Sequence, residues 1–100
     1  MPKRLRIPLY AKTSARKGLE ERKRNKAGLT PKQAKKLGVY SGVARANQII
    51  NNKFLDEKDL RSIARFYSRF KNCKTKRCNT VISLWGGKRF GKLLYNIYYK

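Results

Sequence analysis

Between Leu55 and Phe70 the chain carries two interleaved stripes. Apolar residues recur at Leu60, Ile63, Ala64, Tyr67 and Phe70 with a period near 3.6, while Arg61, Arg65 and Arg69 form a separate line at a spacing of four. This spacing predicts an amphipathic helix. Asp56 is placed to cap its first turn, Asp59 follows three residues on, and Leu55 and Leu60 stand at the two ends of a hydrophobic staple. One side of such a helix requires a core and the other faces anions.

The remaining segments are shorter. Met1 to Lys12 contains Pro2, Pro8 and four basic residues with little periodicity, and reads as an extended basic arm that either tracks a phosphate backbone or frays as a terminus. Thr13 to Lys26 predicts a helix capped by Thr13 or Ser14, with Ala15, Leu19 and Arg22 along a thin inner side; cations from Arg22 to Lys26 suit its C-terminus, and Gly28 stops it. Thr30-Pro31-Lys32-Gln33 is a helix start with a cap, a proline at the first helical position and a capping-box glutamine, and Gly38 ends that helix. Ser41-Gly42 opens the next, with Val43, Ala46, Ile49 and Ile50 inward and Arg45 outward, before Asn51-Asn52-Lys53 breaks it.

Beyond Phe70, Lys71 to Cys78 reads as a basic loop. Asn79 or Thr80 then caps a short apolar helix, Val81 to Trp85, which Gly86-Gly87 ends. A last helix from about Lys88 carries Phe90, Leu93, Leu94 and Ile97 at helical spacing, with Tyr95, Tyr98 and Tyr99 nearby. No segment alternates at period two for long enough to predict a sheet. The expected fold class is therefore all-α: a compact bundle of five to six short helices over residues 13–100, with an extended basic N-terminal arm over residues 1–12.

Composition adds the partner. In 100 residues there are 27 Lys and Arg against five Asp and Glu, a formal charge of +22. Self-repulsion at this level disfavours a compact state unless an anion or salt screens it. After Asp59 there is no acid, while Arg61, Arg65, Arg69, Lys71, Lys74, Lys76, Arg77, Lys88, Arg89, Lys92 and Lys100 follow. Nucleic acid leads as the partner class, DNA ahead of RNA, with an acidic membrane surface or acidic protein as alternatives. No run reaches the roughly 18 apolar residues of a membrane span, and the basic N-terminus lacks the apolar stretch of a signal peptide, so a soluble protein without membrane insertion is expected. Cys73 and Cys78 are either reduced thiols or a local disulfide; without histidine they do not complete a zinc site.

Catalytic equipment is sparse. There is no His, no Walker-type loop, and no spaced acidic pair away from helix openings, so neither enzyme activity, a small-molecule substrate nor a cofactor is expected. Gly86-Gly87-Lys88-Arg89 either presents amides and cations to a phosphate or only separates two helices. Across Pro31 to Ile50 lies a candidate helix-turn-helix: Ala34-Lys35-Lys36-Leu37-Gly38-Val39-Tyr40 resembles the turn of the Cro repressor of a lambdoid phage. Ala44 stands where the motif takes Val or Ile, with Val43 one place early. The motif would make Ser41, Arg45, Asn47 and Gln48 groove-facing.

A wider pattern covers most of the chain beyond the arm. Arg16-Lys17-Gly18-Leu19-Glu20, Gly42-Val43-Ala44-Arg45-Ala46, Phe66-Tyr67-Ser68-Arg69 and Leu84-Trp85-Gly86-Gly87 occur in an order and spacing that resemble a small helical domain of tailed phages and large DNA viruses. The resemblance implies a viral origin and no settled activity. Family members often carry an acid after the paired glycines, where this chain has Lys88, and a longer connection before Leu-Trp, where this chain has the two cysteines. Trp85 is read as a core anchor with Phe66, Tyr67 and Phe70 facing it, or as a stacking platform for a base. Arg45 and Arg69 either bind phosphate or donate to helix-end carbonyls.

The expected function is a virus-encoded DNA-binding or DNA-condensing virion protein, largely indifferent to sequence, found in the particle and in host cytoplasm or nucleus during assembly. Its expected phosphate contacts are Lys3, Arg4 and Arg6 of the arm, Arg45, the Arg61, Arg65 and Arg69 stripe, the loop cations Lys71, Lys74, Lys76 and Arg77, and Lys88 and Arg89. A minor capsid or cement protein contacting coat proteins through Tyr95, Ile97, Tyr98 and Tyr99 is the second reading, and a helix-turn-helix regulator the third.

Overall fold

The computed structural model describes residues 3–25 and 41–99, together with Lys32 and Lys36. The helix predicted from Thr30 and the turn at Gly38 lie outside the described residues. Within them the chain is mostly helical: β1 (Arg4–Arg6), α1 (Leu9–Asn25), α2 (Gly42–Asn51), β2 (Phe54–Asp56), α3 (Glu57–Phe70), α4 (Lys76–Leu84) and α5 (Gly87–Tyr99). No described helix is long and apolar enough to cross a membrane.

The arm is extended over Arg4–Arg6, but it is docked. β1 pairs antiparallel with β2 in the register Arg4↔Asp56, Leu5↔Leu55 and Arg6↔Phe54. Leu55 is buried and Leu5 packs against the core, so one inward residue per strand fixes the ribbon while Arg4 and Arg6 stay exposed. Strands of three residues are too short to show alternation, which is why the sequence pattern did not predict this sheet.

Helix α1 begins at Leu9 rather than Thr13, with the Pro8 carbonyl accepting from the Ala11 and Lys12 amides at 3.1 and 3.3 Å. Its buried line is Ala11, Ala15 and Gly18, all small. Small residues let α4 come close: a Cβ on Gly18 would meet the Leu84 backbone nitrogen at 2.7 Å. The α1 face looked thin in sequence because it is built for close approach rather than for bulk. Lys12 crosses to the end of α2, donating to the carbonyls of Ile49 (2.9 Å), Ile50 (3.0 Å) and Asn52. It is a helix C-cap, not an arm cation.

Helix α3 forms as its spacing predicts. Asp56 Oδ1 accepts from the Asp59 amide at 2.9 Å, and Leu60, Ile63, Ala64 and Phe66 are buried. Helix α4 starts sooner than expected, because Thr75, rather than Asn79 or Thr80, is the cap: its Oγ1 accepts from the Cys78 amide at 3.1 Å. Thr80 lies inside the fold and donates to the Lys76 carbonyl at 3.1 Å. Between α4 and α5, Gly86 (φ 106°) and Gly87 (φ 91°) both take left-handed backbone, which reverses the chain sharply enough to lay α5 on α3. Tyr67 packs on Gly91, and Arg61 reaches Tyr98, so these two helices run antiparallel.

Candidate nucleic-acid interface

The chain's cations divide into those held within the fold and those facing outward. Arg45 belongs to the first group. It follows Gly42 by three residues and precedes Ile49 by four, which places it on the buried side of α2, 2% exposed. One terminal nitrogen donates to Gln48 Oε1 at 2.6 Å and Asp59 Oδ1 at 2.9 Å, and the other to Ser62 Oγ at 3.1 Å. Gln48 Nε2 donates to the second Asp59 oxygen at 2.9 Å, so that carboxylate is held on both sides. The guanidinium also lies 4.6 Å from the centre of the Trp85 ring. Trp85 stacks on Phe66 (4.3 Å, 5°), and Phe66 on Phe70 (4.5 Å, 23°). Trp85 is thus a core anchor, its ring covered by Phe66 and Arg45.

This corrects the expectation that Arg45 faces outward: it is buried, with its guanidinium engaged by Gln48, Asp59 and Ser62. The same geometry removes the predicted groove-facing set: Ser41 is buried as the α2 cap, accepting from the Ala44 amide at 2.9 Å, and Gln48 is engaged with Arg45 and Asp59. Asn47 is the exposed member of the four.

The second group is large. Lys3, Arg4, Arg6, Arg65, Arg69, Lys71, Lys74, Lys76, Arg77, Lys88 and Arg89 are all exposed. Arg65 and Arg69 lie on the outer face of α3, and the row runs on through Lys71 and Lys74 of the following loop to Lys76 and Arg77 at the start of α4. Lys58, one turn before Arg61 and two before Arg65, extends it toward the N-terminus, and Lys92 extends Lys88 along α5; both are exposed. Helical spacing marked both positions, yet neither was among the residues expected to touch phosphate. Arg61 stands between the groups, half-exposed, with Nε 2.9 Å from Glu57 Oε1 and its guanidinium 4.8 Å from the Tyr98 ring centre. The Tyr98 hydroxyl is held above its ordinary value of 10.0, first by burial and then by the Glu57 carboxylate, with Arg61 acting in the opposite direction.

Several surface cations sit over rings: Arg4 over Phe54 at 4.3 Å, Lys71 over Tyr95 at 4.4 Å and Arg89 over Tyr10 at 4.2 Å. A guanidinium held on a ring loses less rotamer freedom when it binds an anion. The Cys73 and Cys78 sulfurs are joined as a disulfide, which ties the loop bearing Lys74 to the first turn of α4, where Lys76 and Arg77 lie.

Acids do not balance this surface. Asp59 serves Arg45, Glu57 serves Arg61, Asp56 caps α3, Glu20 pairs with Lys23 at 3.4 Å and Glu21 accepts from Thr80 at 3.4 Å. Helices α4 and α5 have no acid in their first turns and open instead on Lys76-Arg77 and Lys88-Arg89. A cation at a helix N-terminus opposes the helix dipole by about 0.3–1 kcal/mol, and a bound anion reverses the sign of that interaction. Among the described residues, no group of three or more His, Cys, Asp or Glu is placed to hold a metal ion. No family model, no curated protein and no solved structure matches this chain.

Proposed function

We propose that this chain is a DNA-binding, DNA-condensing protein that grips the phosphate backbone with little regard to sequence, encoded by a virus and carried in its particle. The observation that carries this reading is the row of exposed cations on α3, the following loop and the openings of α4 and α5, which no acid after Asp59 answers and whose members at the openings of α4 and α5 lie where the helix dipole favours an anion. Each phosphate contact releases condensed counterions, so affinity falls steeply with salt, by roughly a thousandfold or more from about 50 to about 200 mM if six or more contacts form. The viral origin rests on the sequence resemblance alone.

The test is a salt series on a labelled DNA duplex, with a scrambled chain of identical composition beside the folded protein. Arrangement of the cations by the fold predicts that the folded protein stays bound at salt that releases the scramble. Coincident curves would leave charge as the whole explanation and refute a built interface. A capsid or cement role is the second reading, favoured by Leu93 on α5 and Leu9 at the start of α1, which are 39% and 73% exposed. Recovery of the protein in fixed proportion to coat protein, from particles emptied of genome, separates it from the first.

A further inference from the structure

Resting on the nucleic-acid reading, we infer that α5 carries a site for single-stranded nucleic acid, with Tyr99 as the surface on which a base stacks. Lys88, Lys92, Tyr95 and Tyr99 follow one another at spacings of four, three and four, which sets them in one line along the helix. The line is open to solvent: both lysines are exposed, Tyr95 is half-buried and Tyr99 is 49% exposed. The Tyr95 and Tyr99 rings lie 5.6 Å apart and nearly parallel, at 14°. Tyr95 is itself braced from α3, by Tyr67 at 6.1 Å and by Lys71, whose ammonium sits 4.4 Å from the ring centre and 3.3 Å from the hydroxyl.

The parts divide the work. Tyr95 is fixed between two helices, Tyr99 lies against it, and a planar base adds to Tyr99 as the next layer. Lys92 and Lys71 flank the rings and take the phosphates on either side. Lys88, about 17 Å from Tyr99 along a helix rising 1.5 Å per residue, extends the track over several nucleotides. A duplex keeps its bases stacked on one another and offers the ring nothing, whereas a single strand presents every base by its face. Ring stacking is also indifferent to base identity, which suits a protein that reads no sequence. A protein partner is the poorer fit, because interface cores are depleted in lysine and this line is flanked by three of them.

The experiment compares affinity for a labelled oligothymidine strand and for a duplex of the same length, in wild type, Tyr99→Ala, Tyr99→Phe and Lys88→Gln/Lys92→Gln. Tyr99 is exposed in the last turn of α5, so its truncation leaves the fold intact, and circular dichroism checks this. Tyr99→Ala is expected to weaken the single-strand complex roughly tenfold or more while duplex affinity stays within about twofold. Tyr99→Phe keeps the ring and retains single-strand binding. The double lysine variant lowers the salt slope for the single strand with the ring intact. Equal loss for both ligands on Tyr99→Ala, or no loss for the strand, overturns the stacking site while leaving backbone binding in place. Failure of wild type to bind either ligand at low salt overturns the nucleic-acid reading itself, and this site with it.

Discussion

Arg45 and Arg69 carry the same charge on helices that pack in one small core, yet they serve different ends. Arg45 is enclosed by Gln48, Asp59, Ser62 and the face of Trp85; Arg69 is exposed in the last turn of α3 beside Arg65 and Lys71. The difference is set by which side of its helix each occupies and by whether an acid lies within reach. Asp59 neutralises Arg45 internally, and no residue after Asp59 is available to do the same for the outer row. The formal charge of +22 is therefore displayed rather than absorbed. A basic sequence does not become an anion site by count; it does so where the fold withholds acids.

The hardest test of that division is removal of the inner arginine. Arg45→Ala takes the guanidinium from Asp59, which retains the Gln48 amide, leaves Gln48 Oε1 without the Arg45 donor and uncovers one face of Trp85, and it is expected to destabilise the protein by about 3 kcal/mol, the lower end of the range for breaking a buried pair. Urea denaturation followed by Trp85 fluorescence measures it. Arg45→Met combined with Asp59→Leu removes both charges and is expected to recover much of the loss, since a well-packed apolar pair replaces an ion pair at little penalty. Whatever folded protein remains should bind DNA with an unchanged salt slope. A loss of less than about 1 kcal/mol, or a lower slope, would put Arg45 back among the phosphate contacts.

Lys12 provides a second inner cation, weaker than the first. Its ammonium closes the end of α2 by donating to the carbonyls of Ile49, Ile50 and Asn52, so Lys12→Met is expected to cost about 1.5–3 kcal/mol, as for hydrogen bonds from a charged donor. Again the salt slope should not move. Lys12→Arg discriminates further: a bulkier planar head does not reproduce three converging bonds at one point, so only partial rescue is expected.

These residues show how far the sequence could be read. The α3 helix was legible because cap, staple and stripe agree, and because its apolar residues are large. Charge points Arg45 outward while its spacing from Gly42 and Ile49 puts it on the inner line, and burial follows the spacing because Asp59, an acid of the α3 opening, lies within reach to pair with it. The sequence pattern places Ala15 on the inner side of α1 but not the start at Leu9, because Ala11 and Gly18 contribute close approach without bulk and hydrophobic patterning does not register them. The ribbon between Arg4–Arg6 and Phe54–Asp56 joins segments some fifty positions apart in sequence with only one inward residue each, which no local pattern reveals. Helical spacing points Arg65 and Arg69 outward and charge alone points Lys74, Lys76, Arg77, Lys88 and Arg89 outward, and all seven are exposed.

Arg61 marks the boundary between the two groups, and pH reports it. The Tyr98 hydroxyl is raised above 10.0, so its neutral form is favoured in the folded state. The stability associated with that shift is fully present below the unfolded value and is lost as pH rises through the folded one, hence from about pH 10 upward. Tyr98→Phe should flatten the fall in stability over this window relative to wild type. Arg61→Gln removes an influence that lowers the value, so the phenol should titrate still higher, as read by tyrosinate absorbance. An unchanged titration in Arg61→Gln would show that Arg61 does not sit over Tyr98 in solution, and would move it to the outer group.

The smallest effect on stability is expected where the effect on binding is clearest. Arg65 and Arg69 lie exposed on the outer face of α3, with no acid after Asp59 to hold them. Arg65→Gln and Arg69→Gln, singly or together, should leave unfolding within about 0.5 kcal/mol of wild type, and removing two like charges from a crowded surface sets even the sign toward slight stabilisation. If the outer row touches phosphate, each substitution lowers the slope of log affinity against log salt by about 0.9, additively, and does so equally on unrelated duplex sequences. The inner arginine and the outer pair then separate on two axes: Arg45 changes stability and not slope, and Arg65 with Arg69 changes slope and not stability. Should the outer pair leave the slope intact, the proposed phosphate contacts narrow to the loop and the openings of α4 and α5, where the same measurement on Lys76→Gln/Arg77→Gln and Lys88→Gln/Arg89→Gln tests them, and an intact slope there too refutes a built interface.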